Sequence, residues 1–188
     1  MKAVTFSYDD GVTQDIRLVE ILNRYGLKAT FNLNSELLGK DGCLDILGKK
    51  ISHYKLQPHE INEVYKAHEI ASHTLTHPDL TEMSAEEVIR QVERDRLNLS
   101  ELSGVEVIGM AYPGKQPNYN SRIAQIIEDS TGVKYARTTI CSNDFSPQRD
   151  LYEFHPSVFH RDWERLYNLA EKFIELEPKN KKIFYIWG

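Results

Sequence analysis

The chain has 188 residues, 40% hydrophobic and 27% charged, which suits one domain with a sizeable core and gives no sign of disorder. Its formal charge of -5 argues against a general binder of nucleic acid or anionic membrane, because phosphate recognition needs a positive footprint. No apolar run reaches the roughly 20 residues of a membrane span, and the N-terminus enters a strand without a signal-peptide core, so no membrane insertion and a cytosolic location are expected unless a leader has been removed.

In chain order, residues 2–7 read as a strand, and residues 14–25 repeat Ile16, Val19, Ile21 and Leu22 at helical spacing before Gly26. Residues 28–33 form a second strand, completing a βαβ unit. Residues 34–56, with Gly39, Gly42 and Gly48 among lysines, read as an irregular inserted loop. A short helix over 58–67, opened by Pro58, leads to a third strand at 68–72. The clearest helix is 84–102: Ser84 and Glu87 make a capping box, and Val88, Val92, Leu97 and Leu99 are expected on its buried side. Strands at 105–111 and 134–140 flank a helix at 121–129, and a helix at 163–176 precedes a last strand at 182–187. No repeat or linker divides residues 1–188, which read as a single domain. Cys43 and Cys141 have no metal-type spacing and are expected to be free thiols.

Alternating strands and helices favour a parallel barrel or a doubly wound sheet, with functional residues just past the carboxyl ends of strands. Three polar constellations fall there. Asp9 and Asp10 end the first strand in "TFSYDDG", His73 and His77 follow the third in "SHTLTHPDL", and "AYPGKQPN" follows the next. Adjacent carboxylates repel, so a fold that fixes both needs a cation or a shared proton. Two histidines four apart can converge on one cation, with nitrogens about 2.0–2.1 Å from zinc, and a carboxylate from another strand can complete a set that leaves positions open for water. Taken singly, each motif has an ordinary reading: an Asp-Asp-Gly turn, or a polar loop histidine. Their succession at strand ends is what points to a site.

In this order and separation, "TFSYDDG", "SHTLTH" and "AYPG" resemble the polysaccharide deacetylase (NodB-homology) domain of the family-four carbohydrate esterases, across essentially the whole chain. The resemblance implies a distorted (β/α) barrel of six or seven parallel strands. It also implies a divalent-metal hydrolase that removes acetyl groups from an N-acetylated sugar or glycan. By that likeness Asp9 is the general base, Asp10, His73 and His77 are the metal ligands, and Thr74 shapes the loop between the histidines. A backbone N–H from Gly114, or else Tyr112, would face the oxyanion. Zn²⁺ is the expected ion, with Co²⁺, Ni²⁺ or Fe²⁺ compatible by ligand type.

The sequence departs from the family pattern in three places. Ala111 stands where an arginine usually braces the catalytic aspartate, and Arg137 in "YARTT" is the candidate substitute. No aspartate-tryptophan motif is evident: Asp144 and Asp150 lack its context, and "RDW" at 161–163 reads as a helix start. The general acid is usually a histidine just after the last strand; here it is expected beyond Gly188, or from His155 or His160 in "FHPSVFH". Among aromatics near strand ends, Tyr112 and Trp187 are the candidates to stack on a sugar face. Two other readings stay open: a degenerate member that binds carbohydrate or metal without turnover, and an amidohydrolase of the same fold acting on a non-sugar amide such as a ureide. The sugar, the metal and the oligomeric state are not readable from the sequence.

Overall fold

A computed structural model describes residues 1–188. The elements are β1 (Lys2–Asp9), α1 (Asp15–Arg24), β2 (Ala29–Leu33), a hairpin of β3 (Cys43–Ile46) and β4 (Lys49–Ser52), α2 (Ile61–Val64), β5 (Glu69–Ser72), α3 (Ala85–Ser103), β6 (Gly109–Ala111), α4 (Ser121–Ser130), β7 (Tyr135–Arg137), β8 (Val158–Phe159), α5 (Trp163–Glu175) and β9 (Lys182–Trp187). Seven strands form one parallel sheet in the order β7-β6-β5-β2-β1-β9-β8, which is the expected α/β class with seven parallel strands.

The sheet curls. β7 and β1 lie four strand spacings apart in the sheet, about 19 Å if it were flat. Yet Arg137 of β7 reaches Asp9 of β1 at 2.5 and 2.6 Å, so the strands must bend round a common interior. Residues 138–157 close the remaining gap: Phe154 pairs with Arg137, and Ser157 N–H donates to the Tyr185 carbonyl at 2.7 Å. The otherwise open edge of β7 is thereby covered.

Apolar residues facing away from that interior make the core. Val19, Leu22, Phe31, Leu33, Ile61, Tyr65 and Leu99 pack α1, α2 and α3 against β2. Val88, Val92, Met110, Ile123 and Ile127 do the same for α3 and α4 against β6, and Val158, Leu169, Phe173, Phe184 and Ile186 seat α5. Each fully buried aliphatic or phenyl group contributes about 1.5–3 kcal/mol. The capping box starts α3, with Glu87 N–H donating to Ser84 Oγ at 3.3 Å and Ser84 N–H to Glu87 Oε2 at 3.0 Å. Gly104 ends it in the left-handed region at φ 72°.

The structure corrects several local expectations. Residues 34–56 are not merely irregular, since β3 and β4 pair antiparallel within them. The helix expected over 58–67 is only four residues long, because turns flank Ile61–Val64. Leu97 and the α1 residues Ile16 and Ile21 are exposed, and polar Gln91, Asp95 and Arg96 occupy the buried face of α3 instead. The two-residue strand β8 was not expected. Both cysteines are free.

Candidate metal centre and active site

Asp9 is the last residue of β1, and Asp10 continues the ladder by donating its N–H to the Asn32 carbonyl at 2.9 Å. The chain then turns sharply. Asp10 has φ 82°, a left-handed conformation that a side-chain-bearing residue adopts only at a cost, and Gly11 follows at φ 62°. The turn sends the two carboxylates to different neighbours. Asp9 accepts from Arg137 at both oxygens and from Asn32 Nδ2 at 2.9 Å, and its backbone N–H donates to the Gly188 carbonyl at 3.1 Å. Asp10 lies 3.0 Å through Oδ1 from Lys55 Nζ, and 3.2 Å through Oδ2 from His53 Nε2. Burial would raise the Asp10 carboxyl, but the His53 hydrogen bond, the field of His73 and the Lys55 ammonium hold it well below the usual carboxylate range.

The histidine loop leaves β5 in the same strained manner, with Thr74 at φ 68° and His77 at φ 58°. Its backbone is tied on every side. Asn34 Nδ2 donates to the His73 and Thr74 carbonyls at 2.5 and 2.9 Å, and Leu75 N–H donates to the Gln91 carbonyl at 3.0 Å. Ser72 Oγ donates to the buried Asp95 at 2.6 Å, and Gln91 exchanges hydrogen bonds with Thr76. Within the loop, His77 N–H donates to Thr74 Oγ1 at 3.2 Å, giving Thr74 a direct part in its shape. His73 Nδ1 lies 2.9 Å from the Ala111 carbonyl, so Nδ1 carries the proton and Nε2 is left as a ligand atom. Burial lowers the His73 pKa, which favours the neutral imidazole that a metal needs.

One ligand atom each from Asp10, His73 and His77 lies within 4.8 Å of the others. Two imidazole nitrogens and one carboxylate oxygen at that separation fit a single divalent ion with open positions, and by donor type zinc, cobalt, nickel and iron(II) all suit. Asp9 stands beside this set, its Oδ2 4.0 Å from His73 Nε2.

Arg137 is fully buried and reaches Asp9 from β7, whose register pairs it directly with Ala111. The guanidinium expected at 111 therefore arrives from the neighbouring strand. Trp187 lies against it, the guanidinium carbon 4.9 Å from the ring centroid, and Phe159 packs on the indole at 4.6 Å. The ring expected as a sugar platform at Trp187 thus also supports Arg137. Tyr112 is corrected as a sugar platform: it is fully buried, stacks on Tyr119 at 4.8 Å and donates its hydroxyl to the Tyr152 carbonyl. Tyr112 N–H donates to the Arg137 carbonyl, which removes it as an oxyanion donor, whereas Gly114 is exposed at φ 84° with its N–H donating to no protein group. His155 Nδ1 contacts Thr138 Oγ1 at 2.6 Å, and its backbone is bound by Gln148. The His160 ring lies 5.6 Å from that of Tyr8 and so close to Gly188 that a Cβ there would collide with it. Burial and Arg161 lower the pKa of His160 while Asp9 raises it. Asp144 and Asp150 serve loop turns, Asp150 accepting from the Tyr152 and Glu153 N–H groups.

Asn32, His53 and Lys55 were missed by the sequence reading. The only signal for the last two was a polar pair at alternate positions just before Leu56, and nothing in it names their partner.

The sequence matches the family model "polysaccharide deacetylase" over residues 1–136. No curated protein matches it. Among solved structures, it is similar to the deacetylase PplD of Streptococcus pyogenes in complex with acetate, with TM-score 0.58, 23% identity, and coverage of 72% of this chain and 55% of that one. A polysaccharide deacetylase from Bacillus cereus gives TM-score 0.62 at 16% identity, covering 96% of this chain and 45% of that one. A CE4 family pseudoenzyme from Bacillus anthracis gives TM-score 0.55 at 18% identity, covering 100% of this chain and 54% of that one. At these identities the likeness is one of fold, and the chain spans about half the length of each.

Proposed function

The chain belongs to the polysaccharide deacetylase family, and from that premise we propose that it is a metal-dependent hydrolase that removes N-acetyl groups from an amino-sugar glycan or oligosaccharide. The observation that carries this reading is the convergence of Asp10, His73 and His77 within 4.8 Å, with Asp9 beside them and held by Arg137. Asp10, His73 and His77 would hold the cation. When bound, a divalent ion supplies Lewis acidity towards the acetamide oxygen and the attacking water.

The remaining steps belong to the chain. Asp9 accepts the proton of the attacking water at a carboxylate oxygen, a role typically contributing about 10² to 10⁴-fold. Arg137 and Asn32 keep that carboxylate in one orientation from two sides, so the acceptor is aimed before the substrate arrives. The free Gly114 N–H is the group available to the developing oxyanion, and a backbone donor of this kind is worth about 10² to 10³ in kcat. In this reading His160, beside Gly188 and in the field of Asp9, would protonate the leaving amine.

The test is acetate release from chitooligosaccharides or cell-wall glycans with added Zn²⁺ or Co²⁺, with and without chelator, comparing the wild type with Asp9→Asn. The proposal expects turnover that chelation abolishes and that Asp9→Asn reduces at least about 100-fold. Cation binding with no turnover of any amide would assign the chain a binding role, the reading that Ala111 alone favours. Turnover of a ureide and of no acetylated sugar would change the substrate class.

A further inference from the structure

The Asp10 carboxylate is contacted by two side chains outside the three motifs. We propose that His53 and Lys55, at the base of the β3–β4 hairpin, position Asp10 as a metal ligand and tune its strength as a donor. The proposal rests on the metal reading given above and adds two residues to it.

The geometry starts from how the hairpin is rooted. Thr13 N–H donates to the Tyr54 carbonyl at 2.8 Å, Leu56 N–H to the Gly11 carbonyl at 2.9 Å, and Val12 bridges Lys55. On the other side, His53 N–H donates to the Gly42 carbonyl and Lys55 N–H to the Lys40 carbonyl, at 2.9 and 3.0 Å. Gly42 permits this approach, since a Cβ there would sit 2.7 Å from the His53 carbonyl oxygen. Residues 53–55 are thus fixed as an extended segment alongside the turn that carries Asp10. In an extended segment, residues two apart share a face. His53 and Lys55 accordingly both turn towards Asp10, while Tyr54 is exposed.

The two contacts differ in kind. His53 Nε2 lies 3.2 Å from Oδ2 and also 3.2 Å from Lys55 Nζ, so the imidazole sits against both members of the ion pair and limits the rotation of the carboxylate. Lys55 is nearly buried, with 8% of its side chain exposed, and it places a full positive charge 3.0 Å from Oδ1. Such a charge is weakly screened and competes with a bound cation for the same carboxylate. Removing His53 should therefore loosen the ion, and removing the Lys55 charge should tighten it. A pair that merely braced the hairpin would loosen the site in both cases.

The experiment measures Zn²⁺ and Co²⁺ affinity by competition with a chromophoric chelator, with a thermal melt of every variant. His53→Ala should weaken binding about 10- to 100-fold, the usual effect of losing such a partner, and His53→Gln, which keeps an N–H donor, should recover most of it. Lys55→Met, which keeps the aliphatic stem, should bind the ion about tenfold more tightly. If Lys55→Met melts non-cooperatively, Lys55→Gln is read in its place. Wild-type affinity in all variants, or equal weakening in both series, overturns the tuning role while leaving the metal site standing. A wild type that takes up neither ion, with His73→Ala indistinguishable from it, overturns the metal reading and this proposal together.

Discussion

Asp9 and Asp10 are consecutive residues supported by two different regions of the molecule. Asp9 is held by the sheet itself, through Asn32 of β2 and the fully buried Arg137 of β7. Asp10 is held by the inserted hairpin, through His53 and Lys55. Asp10 lies just past β1, and its left-handed turn leaves both carboxylates beside His73 while giving each its own partners. Two like charges side by side thereby acquire separate counter-charges, and neither cation has to serve both. The carboxylate proposed to move a proton is fixed by the framework, and the one proposed to hold an ion is fixed by an appendage. The first support cannot change without disturbing the barrel, whereas the second can vary with the insertion.

The largest expected effect comes from breaking the framework side. Arg137→Met leaves Asp9 inside the sheet without its cation, and removing one partner of a buried pair typically costs about 3–5 kcal/mol. The aim of Asp9 is lost as well, so kcat for acetate release should fall about 100-fold or more while the affinity for Zn²⁺ changes little. That separation is the point of the comparison. If Arg137→Met weakened metal binding as much as it slowed turnover, the two carboxylates would be one coupled unit and not two supported sites. Steady-state kinetics paired with the chelator competition on the same protein decides between them.

The same contrast marks how much the sequence disclosed. Asp9, Asp10, His73 and His77 stood out because short apolar strands and amphipathic helices alternate, which puts polar motifs at recognisable strand ends. Arg137 could be nominated because Ala111 left a role unfilled on the next strand. His53 and Lys55 could not be nominated, because their contact depends on a hairpin with two exposed faces folding back onto Val12, a pairing without hydrophobic alternation to announce it. Tyr112 was misread for a related reason. An aromatic near a strand end looks the same in sequence whether it faces substrate, a second tyrosine or an arginine. On the helices, Ile16, Ile21 and Leu97 each lie beside a residue that is buried, and periodicity alone did not separate the two.

An intermediate effect should appear where the framework holds the histidine loop. Asp95 is buried in α3, and burial raises its carboxyl from 3.8 to about 6 against the hydrogen bonds from Ser72 and Ser35 that lower it. Between those values the folded chain binds more protons than the unfolded one. Stability from this group is therefore fully present below about pH 4 and is lost as pH rises through about 6. Asp95→Asn cannot ionise, so the difference in unfolding free energy between variant and wild type, read from denaturant melts, should grow in the variant's favour across that window, by up to about 3 kcal/mol. A difference that stays flat from pH 4 to pH 7 would mean that Asp95 ionises in the fold as it does in the open chain.

The smallest effect belongs to a residue on neither side of the comparison. Tyr112 lies at the end of β6, next to Ala111, whose carbonyl orients His73, but its own ring is buried against Tyr119 and its hydroxyl is spent on the Tyr152 carbonyl at 2.8 Å. Burial raises that hydroxyl's pKa far above the ordinary value, so it stays protonated. Tyr112→Phe keeps the stacked ring and removes one neutral hydrogen bond, which should cost about 1 kcal/mol of stability. KM for a chitooligosaccharide, kcat and Zn²⁺ affinity should all stay at wild-type values. A rise in KM without loss of stability would return the ring to the substrate path and require the loop over residues 113–118 to open on binding. The contrast with Arg137→Met, a neighbour across one strand register, is what makes this small change informative: on paired strands, one residue works through Asp9 and the other only through the core.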